Sequence, residues 1–284
     1  MLKIGIESTA YFSLYDYEAG FKKMRCHGYD AVDYSELASP DSDLYKMKAE
    51  EFRAFLTGVG QAAEENGIEI VQLHGLWPTF NEDKTRADRQ ESKEHFIKDI
   101  EAAYYLGCKN IVIHPFMPFG AGFETDRDKI WDVNYELFSS LMPYAEKYDK
   151  TICVENLPFT AIQMCTVREI KKLVRKIDNP HLKICFDTGH AHMWHENIAD
   201  NVRLIGSDLA TLHVHDNKGR WDQHLIPYFG TINWNEFLSA LKEIDFQGCL
   251  SLETFISKVL PEPILEEMRL LLAQTARMMA TKIE

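Results

Sequence analysis

The sequence lacks the features that mark an exported or membrane-embedded protein. Its amino terminus, "MLKIGIESTAYF", has neither the basic start nor the long apolar run of a signal peptide. No segment contains the run of apolar residues that a membrane span requires. We therefore expect a soluble, cytoplasmic protein without a membrane partner.

The sequence also lacks a CxxC motif, because its six cysteines are widely spaced. Cys153, Cys185 and Cys249 lie in apolar runs typical of strands. Cysteines in such runs usually serve as small buried hydrophobes. The sequence therefore predicts neither a disulfide framework nor a thiolate metal site.

Several common catalytic motifs are absent, and so is positive charge. There is no GxSxG elbow, no GxxxxGK[ST] loop and no Gly-rich dinucleotide turn after the first predicted strand. The formal net charge of -13 argues against nucleic acid as a partner, although a local basic groove could override that average. An anionic substrate would need positive charge from a metal or from a few Lys and Arg side chains.

What the sequence does contain is a regular alternation of short β-branched runs and longer amphipathic stretches. The predicted strands span residues 3–8, 31–35, 68–74, 110–115, 151–157, 182–188, 209–216 and 249–255. Helical patterns include residues 50–67, 88–107, 233–248 and 262–280. Eight such units without a linker predict an α/β fold, a single (β/α)8 TIM barrel over residues 1–284. A doubly wound open sheet is the alternative.

Acidic and histidine side chains follow the predicted strands at the end where barrel active sites lie. They are Glu7, His74, His114, Glu155, Asp187, His190, His213, His215 and Glu253. Any one of them could simply bond a backbone group or a neighbouring Arg. No matching set of Lys or Arg ends these strands, so we expect a divalent metal to neutralise the acids. Nitrogen and oxygen ligands without thiolate suit Mn2+, Co2+, Zn2+ or Fe2+.

The stretch "LHVHDNKGRWDQH", residues 212–224, concentrates this chemistry. His213 and His215 are two apart on one strand, so both are expected to face the barrel interior. Asp222 and His224 repeat that interval in the following loop. Together with His190 they form either a second metal site or a substrate-orienting group, with a solvated turn as the simpler interpretation.

Other residues of the loops are candidates for substrate binding. Lys218 and Arg220 follow the seventh predicted strand and could contact a hydroxyl or a phosphate, although solvent exposure is the simpler expectation. Aromatic residues in loops after strands could wall a pocket or merely pack the loops. They are Trp77, Phe116, Phe119, Phe159 and Trp194.

The order of the motifs resembles that of a known group of proteins. In sequence they are "VQLHG", "VIHPF", "CVENLP", "CFDTGHAH", "LHVHDN", "DQHL" and "SLETF". Over nearly the whole chain they are similar to the xylose-isomerase-like TIM barrel superfamily. That superfamily comprises sugar and sugar-phosphate isomerases and epimerases and also includes endonuclease IV.

The resemblance to the isomerases and epimerases implies one bound divalent metal, Mn2+, Co2+ or Zn2+, and a small sugar as substrate. The implied ligands are Glu155, Asp187, His213 and Glu253. Asp216 fills the family's polar position three residues after the ligand, which implies His213 and assigns His215 to the pocket wall. Glu155 and Glu253 would be the acid/base pair of a proton transfer through a metal-stabilised enediolate, and His190 would contact the substrate. A homo-oligomer is compatible with this interpretation.

Two alternatives stay open within the same superfamily. The first is an endonuclease IV-like phosphodiesterase with two or three Zn2+, acting on abasic DNA. Its nine ligands would be His74, His114, Glu155, Asp187, His190, His213, Asp222, His224 and Glu253. The motifs around them differ from the endonuclease, which has Cys where this chain has Gly189. The second alternative is a metal-dependent dehydratase of the inosose type, which begins with the same proton abstraction.

Overall fold

The computed structural model describes residues 2–77, 86–116, 126–160, 164–256 and 259–283. Eight strands form one parallel sheet in the order β7-β6-β5-β4-β3-β2-β1-β8. They are β1 (Lys3–Glu7), β2 (Ala31–Tyr34), β3 (Glu69–His74), β4 (Asn110–Ile113), β5 (Thr151–Glu155), β6 (Leu182–Asp187), β7 (Leu209–His213) and β8 (Cys249–Leu252).

The two ends of the sheet, β7 and β8, meet and nearly close the barrel. Val214 pairs with Leu252 in parallel orientation. The Val214 N–H donates to the Ser251 carbonyl at 2.8 Å, and the Glu253 N–H donates to the Val214 carbonyl at 3.2 Å. The predicted (β/α)8 barrel is therefore confirmed, and the open-sheet alternative is wrong.

Helices connect the strands and pack against the outside of the barrel. The elements are α1 (Thr9–Phe12), α2 (Tyr17–His27), α3 (Ala49–Glu65), α4 (Arg86–Tyr105), α5 (Arg127–Tyr148), α6 (Val167–Ile177), α7 (Thr188–Met193), α8 (Ile198–Ile205), α9 (Trp234–Glu243) and α10 (Glu262–Ile283). In α3, Phe52, Leu56 and Val59 recur at helical spacing and are buried. The chain leaves this helix through Gly67, whose φ of 68° suits glycine, as the sequence predicts. Within the described residues, no helix is both long and apolar enough to cross a membrane.

All eight predicted strands are present, but most end earlier than the sequence pattern predicts. The β5 ladder ends at Glu155 because the next residue bonds through its side chain. The Asn156 amide donates to the Asp187 carbonyl at 2.9 Å and accepts from the Asp187 N–H at 2.8 Å. A side chain thus replaces backbone pairing where the strands reach the polar end of the barrel.

The two faces of each strand meet different surroundings. On β5, Ile152 and Val154 belong to the large apolar core beneath the helices. Cys153 points the other way and packs with Val112 and Cys185 in a small cluster of its own. None of the six cysteines, all of which lie in the described ranges, forms a disulfide, and all except Cys26 are buried, which confirms the expectation for Cys153, Cys185 and Cys249.

The long segment between β7 and α9 is tied together by one buried carboxylate, that of Asp216. It accepts four hydrogen bonds, from the backbone N–H groups of Asn217 (2.9 Å), Tyr228 (3.0 Å) and Ile232 (3.2 Å) and from the indole N–H of Trp234 (2.9 Å). The backbones of Asp216 and Leu225 also exchange two hydrogen bonds of 2.8 Å. This segment carries Asp222 and His224, so Asp216 fixes the part of the chain that brings them to the barrel mouth.

We expect Asp216→Ala to lower the free energy of unfolding by at least about 3 kcal/mol, because several buried donors lose their acceptor at once. Denaturant unfolding followed by circular dichroism measures this loss. The matched control is Asp41→Ala, at an exposed aspartate, for which we expect a change within about 0.5 kcal/mol. Equal stability of the two variants would contradict this role of Asp216.

Candidate metal and active site

Four side chains from four neighbouring strands converge at the carboxyl end of the barrel, and we call them the main centre. Glu155, Asp187 and His213 are the last residues of β5, β6 and β7, and Glu253 directly follows β8. One candidate ligand atom from each lies within 4.8 Å of the others. Asp187 and His213 are register partners across β6 and β7. The sheet register therefore places Asp187 and His213, which are far apart in sequence, at one level of the barrel.

His213 lies close to three carboxylates at the main centre. Its Nδ1 lies 2.9 Å from Glu155 Oε1 and 3.3 Å from Glu253 Oε2. Its Nε2 lies 2.8 Å from Asp33 Oδ2. A carboxylate only accepts, so Nε2 carries a hydrogen that it donates to Asp33. Nδ1 faces the two glutamates and is the nitrogen that could bind a cation in place of its own hydrogen. This is the orientation of a metal-binding histidine that is held by a carboxylate behind it.

Sequence reasoning missed Asp33 and its partner Gln72. Both are buried, and the Gln72 amide donates to Asp33 Oδ2 at 2.9 Å. The signal was present in "AVDYS", where an aspartate stands within an otherwise apolar and aromatic strand. Strand alternation alone does not tell which neighbouring strand such a side chain will reach, and here the partner, His213, lies far along the chain.

Burial and neighbouring histidines move the pKa values of the two glutamates in opposite directions. Burial raises the pKa of Glu155, but His213 and His114 outweigh it and hold that pKa well below its ordinary value. Burial raises the pKa of Glu253 well above its ordinary value, although His213 and His224 oppose this. In the absence of a cation, these shifts favour the ionised form of Glu155 and the protonated form of Glu253.

Two further histidines extend the main centre on the side of β3 and β4. His114 Nε2 lies 2.7 Å from Glu155 Oε2, and His74 Nε2 lies 3.9 Å from the same oxygen. The His74 ring stacks on His213 with centroids 5.4 Å apart and planes 2° apart. His74, His114 and Glu155 form another possible ligand group, which shares Glu155 with the main centre.

A second cluster lies beside the main centre and contains His190, Asp222 and His224. Asp222 Oδ2 is 3.2 Å from His190 Nε2 and 3.0 Å from His224 Nε2. The outer Nδ1 atoms face backbone carbonyls, that of Asn156 at 2.9 Å for His190 and that of Glu253 at 2.8 Å for His224. Carbonyls only accept, so both Nδ1 atoms carry hydrogens, and both Nε2 atoms face Asp222 across one space, where they are the nitrogens that could bind a cation in place of their own hydrogens. His224 is buried, which argues against a solvated turn at that residue, whereas Asp222 remains partly exposed.

The remaining predicted residues lie in different surroundings. The Trp77 and His114 rings meet edge to face with centroids 4.1 Å apart, and Trp77 packs with Phe159 and Trp194. Phe116 is buried in the main core, and Phe119 lies outside the described residues. His215 lies between the main centre and the second cluster.

The two basic candidates of the loop after β7, Lys218 and Arg220, are both exposed. No ion pair found in the described part of the chain includes either side chain. Glu7, at the end of β1, is only partly buried, and it is absent from the ligand groups found among the described residues.

The donor set fits a divalent cation. Wherever ion pairs are seen in the described ranges, the partners of Glu155, Asp187, Asp222 and Glu253 are histidines, never Lys or Arg. Glu253 Oε2 is buried and has no hydrogen-bond partner there, although it lies 3.3 Å from His213 Nδ1. Separations of about 3 Å between donor atoms are those expected of two ligands with bonds of about 2.1 Å to one ion. Burial raises the pKa of the nearby Cys185 thiol to about 12, so a thiolate ligand is not favoured.

Comparison with known proteins agrees with this fold. The chain belongs to the xylose isomerase-like TIM barrel family, whose profile matches residues 21–274. The D-psicose 3-epimerase of Enterocloster bolteae is 26% identical over 249 residues, covering 85% of this chain and 77% of the epimerase. The family resemblance predicted from the motifs is therefore confirmed.

Solved structures share the whole barrel. The D-psicose 3-epimerase of Clostridium cellulolyticum H10, solved with D-tagatose, has a TM-score of 0.80 at 20% identity and covers 98% of this chain and 99% of its own. The IOLI protein, solved with a binding zinc atom, has a TM-score of 0.76 at 19% identity over 99% and 98% of the two chains. "Probable endonuclease 4" of Bacillus licheniformis is 27% identical over 188 residues, 61% of each chain.

In protein stripped of divalent ions, we expect two histidines to titrate far from the ordinary value of 6.5. Burial lowers the pKa of His224, but Asp222 and Glu253 outweigh it and raise that pKa to about 9. Burial lowers the pKa of His114 to about 4, although Glu155 opposes this. At pH 7, His224 should be charged and His114 neutral.

Nuclear magnetic resonance of the imidazole nitrogens through a pH series measures both values. The variants His224→Gln and His114→Gln assign the two signals. Titration of both rings near pH 6.5 would contradict the electrostatics described for the two clusters.

Proposed function

We propose that this chain is a divalent-metal-dependent sugar isomerase or epimerase. The observation that carries the proposal is the main centre, in which Glu155, Asp187, His213 and Glu253 converge without a balancing Lys or Arg in the described part of the site. Its similarity to a D-psicose 3-epimerase over 85% of the chain supports the reaction class. That relative acts on a ketose, so a small sugar is the proposed substrate.

The main centre would hold one Mn2+, Co2+ or Zn2+. Three carboxylates and one imidazole suit all three ions. When bound, such an ion polarises a substrate carbonyl and stabilises the negative charge that develops on its oxygen. His213 would bind through Nδ1, because Asp33 holds the hydrogen on Nε2.

Glu155 and Glu253 would move the proton. Glu155 ends β5 and Glu253 directly follows β8. Their carboxylate oxygens lie 2.9 Å and 3.3 Å from His213 Nδ1. One glutamate removes the proton alpha to the carbonyl, and the other returns a proton to the neighbouring carbon or to the opposite face. Their oppositely shifted pKa values support a pair that holds unlike protonation states.

The remaining candidates would bind and orient the sugar. His190 is 3% exposed at the inner end of α7, where its Nε2 can contact a hydroxyl when it is not bound to an ion. Trp77 would form part of the wall, and His215, which is fully buried, would lie behind it. Lys218 and Arg220 remain candidates for contact with a phosphate, so both sugars and sugar phosphates belong in the substrate screen.

A second candidate function is a multinuclear zinc phosphodiesterase acting on abasic DNA. The specific observation in its favour is that the nine predicted ligands fall into three neighbouring groups, two of which share Glu155. The identity of 27% with "Probable endonuclease 4" also supports it. The net charge of -13 argues against it, since DNA binding needs local positive charge.

Glu155→Gln and Glu253→Gln should each abolish turnover while leaving the fold intact, because each removes a proton-transfer group and a metal ligand. Epimer formation is followed by chromatography, and the fold is followed by circular dichroism. Glu50→Gln, at an exposed position in the first turn of α3, is the matched control and should keep full activity. Full activity in both site variants would overturn the assignment.

Metal content and reaction products separate the candidate functions. We expect mass spectrometry of the native protein to find one tightly bound divalent ion, and incubation with a ketose in D2O to place deuterium next to the carbonyl. The screen includes D-psicose, D-tagatose, D-fructose, their phosphates and an inosose. Three zinc ions together with nicking of abasic DNA would favour the phosphodiesterase, and loss of water from the inosose would favour the dehydratase.

Asp33→Asn should weaken binding of Co2+ to the main centre by about 10- to 100-fold, because the carboxylate that orients His213 is replaced by a neutral amide. Competition with a chelator measures the affinity. Asp41→Asn, at an exposed aspartate, is the control. Unchanged affinity in the Asp33 variant would show that this carboxylate does not orient the ligand.

A further inference from the structure

His215 lies between the main centre and the second cluster and is in contact with both. The residue is fully buried. Its Nε2 is 3.0 Å from Asp187 Oδ2 and 3.8 Å from Asp222 Oδ1. Its ring stacks on that of His224, with centroids 3.9 Å apart and planes 7° apart. By proximity alone, His215 would count as a fourth ligand of the second cluster.

The stacking excludes that simple interpretation. The lone pair of an imidazole nitrogen lies in the plane of its ring. Two nearly parallel rings in contact occupy two separate planes, so one ion cannot lie in both. His215 and His224 therefore cannot ligate the same cation in this arrangement, and His190, Asp222 and His224 are the ligands that the second cluster can offer.

The hydrogen-bond geometry gives His215 a different role. Its Nε2 faces the Asp187 carboxylate, which only accepts, so this nitrogen carries the hydrogen and donates it. Its Nδ1 is buried and has no hydrogen-bond partner in the described part of the protein. Asp187 Oδ1, the other carboxylate oxygen, accepts from the His190 backbone N–H at 2.6 Å. The two donors fix the plane of a carboxylate that belongs to the main centre.

The same ring also fixes His224. The His224 imidazole lies between His215 on one side and Phe255 on the other, with centroids 3.9 Å and 4.1 Å away. Its Nδ1 faces the Glu253 carbonyl at 2.8 Å. This three-ring stack leaves the His224 imidazole a single orientation, with Nε2 facing Asp222.

The space for His215 exists because residue 189 is glycine. A Cβ atom at Gly189 would lie 2.0 Å from His215 Cε1 and 2.3 Å from its Nδ1. Heavy atoms that are not bonded to each other do not approach that closely, so any side chain at this position would displace the ring. Gly189 and His215 thus form one structural pair, although they are 26 positions apart.

We propose that His215, seated in the space left by Gly189, is a positioning residue that orients both Asp187 of the main centre and His224 of the second cluster. It acts through these two side chains and does not itself ligate a metal. The role of Asp187 as a ligand rests on the proposed function. The packing of His215 against Gly189 does not depend on the proposed function.

A double-mutant cycle tests the pair, with Co2+ affinity and the visible spectrum of the Co2+ protein as measurements. Gly189→Ala and His215→Ala should each weaken Co2+ binding by about 10-fold or more. The double variant should bind no more weakly than the weaker single variant, because the displaced ring is already absent. Gly58→Ala is the control, since a Cβ there meets nothing within 4 Å. Additive effects, or wild-type affinity in Gly189→Ala, would overturn the proposal.

Two further variants separate the hydrogen bond from the stacked ring. His215→Gln keeps an N–H donor near the position of Nε2 but loses the ring, and His215→Phe keeps a ring but loses the donor. We expect the Gln variant to retain Co2+ affinity at the main centre within about 3-fold and the Phe variant to lose about 10-fold or more. The reverse order, or equal affinities, would show that His215 does not act by donating to Asp187.

These measurements do not depend on catalysis. If the cycle shows coupling but no sugar is turned over, the positioning role stands and the proposed reaction fails. If sugars are epimerised and the cycle is additive, the reaction stands and the positioning role fails.

Discussion

The organising constraint of this protein is the burial of several carboxylates where the strands of the barrel end. Burying an ionised carboxylate is costly unless it is paired and hydrogen-bonded. Glu155, Asp187 and Glu253 have histidine partners throughout the described part of the site. A neutral imidazole supplies no net charge, so the site needs either protons or a cation. The shifted pKa values describe the site when protons supply the compensating positive charge. The donor geometry fits the site when a cation supplies it.

The barrel makes that concentration of charge geometrically possible. Neighbouring parallel strands bring residues near their carboxyl ends together: Asp187 and His213 are register partners, and Glu155 pairs with Cys185, two residues before Asp187. The inward faces immediately below carry small side chains such as Cys153 and Cys185. The outward faces carry the branched residues that pack under the helices, Ile152 and Val154 among them. The apolar face of each strand thus stabilises the barrel, and its ends are free to carry chemistry.

Much of this architecture could be predicted from the sequence, because its main signals are periodic. Alternating β-branched and amphipathic runs identify eight units, and the polar residue that ends each run identifies the barrel mouth. Asp33 was missed because its importance depends on contact with His213, which is 180 positions away. The register of neighbouring strands sets such contacts, and no local pattern encodes it. The early end of β5 was missed for a related reason, since Asn156 replaces the backbone ladder with side-chain bonds.

The packing of His215 against Gly189 shows how a residue that is not itself a ligand can affect the orientation of the candidate ligands. All nine candidate ligands of a trinuclear site are present, and the structure brings them into neighbouring groups. The side chains between the groups nevertheless decide how each ligand is oriented. The absence of a side chain at position 189 admits an imidazole, and that imidazole bonds one ligand and stacks on another. Because the ring lies against both Asp187 and His224, a displacement of His215 would change the surroundings of both side chains. Counting candidate ligands therefore says less about the chemistry of such a barrel than the packing between them does.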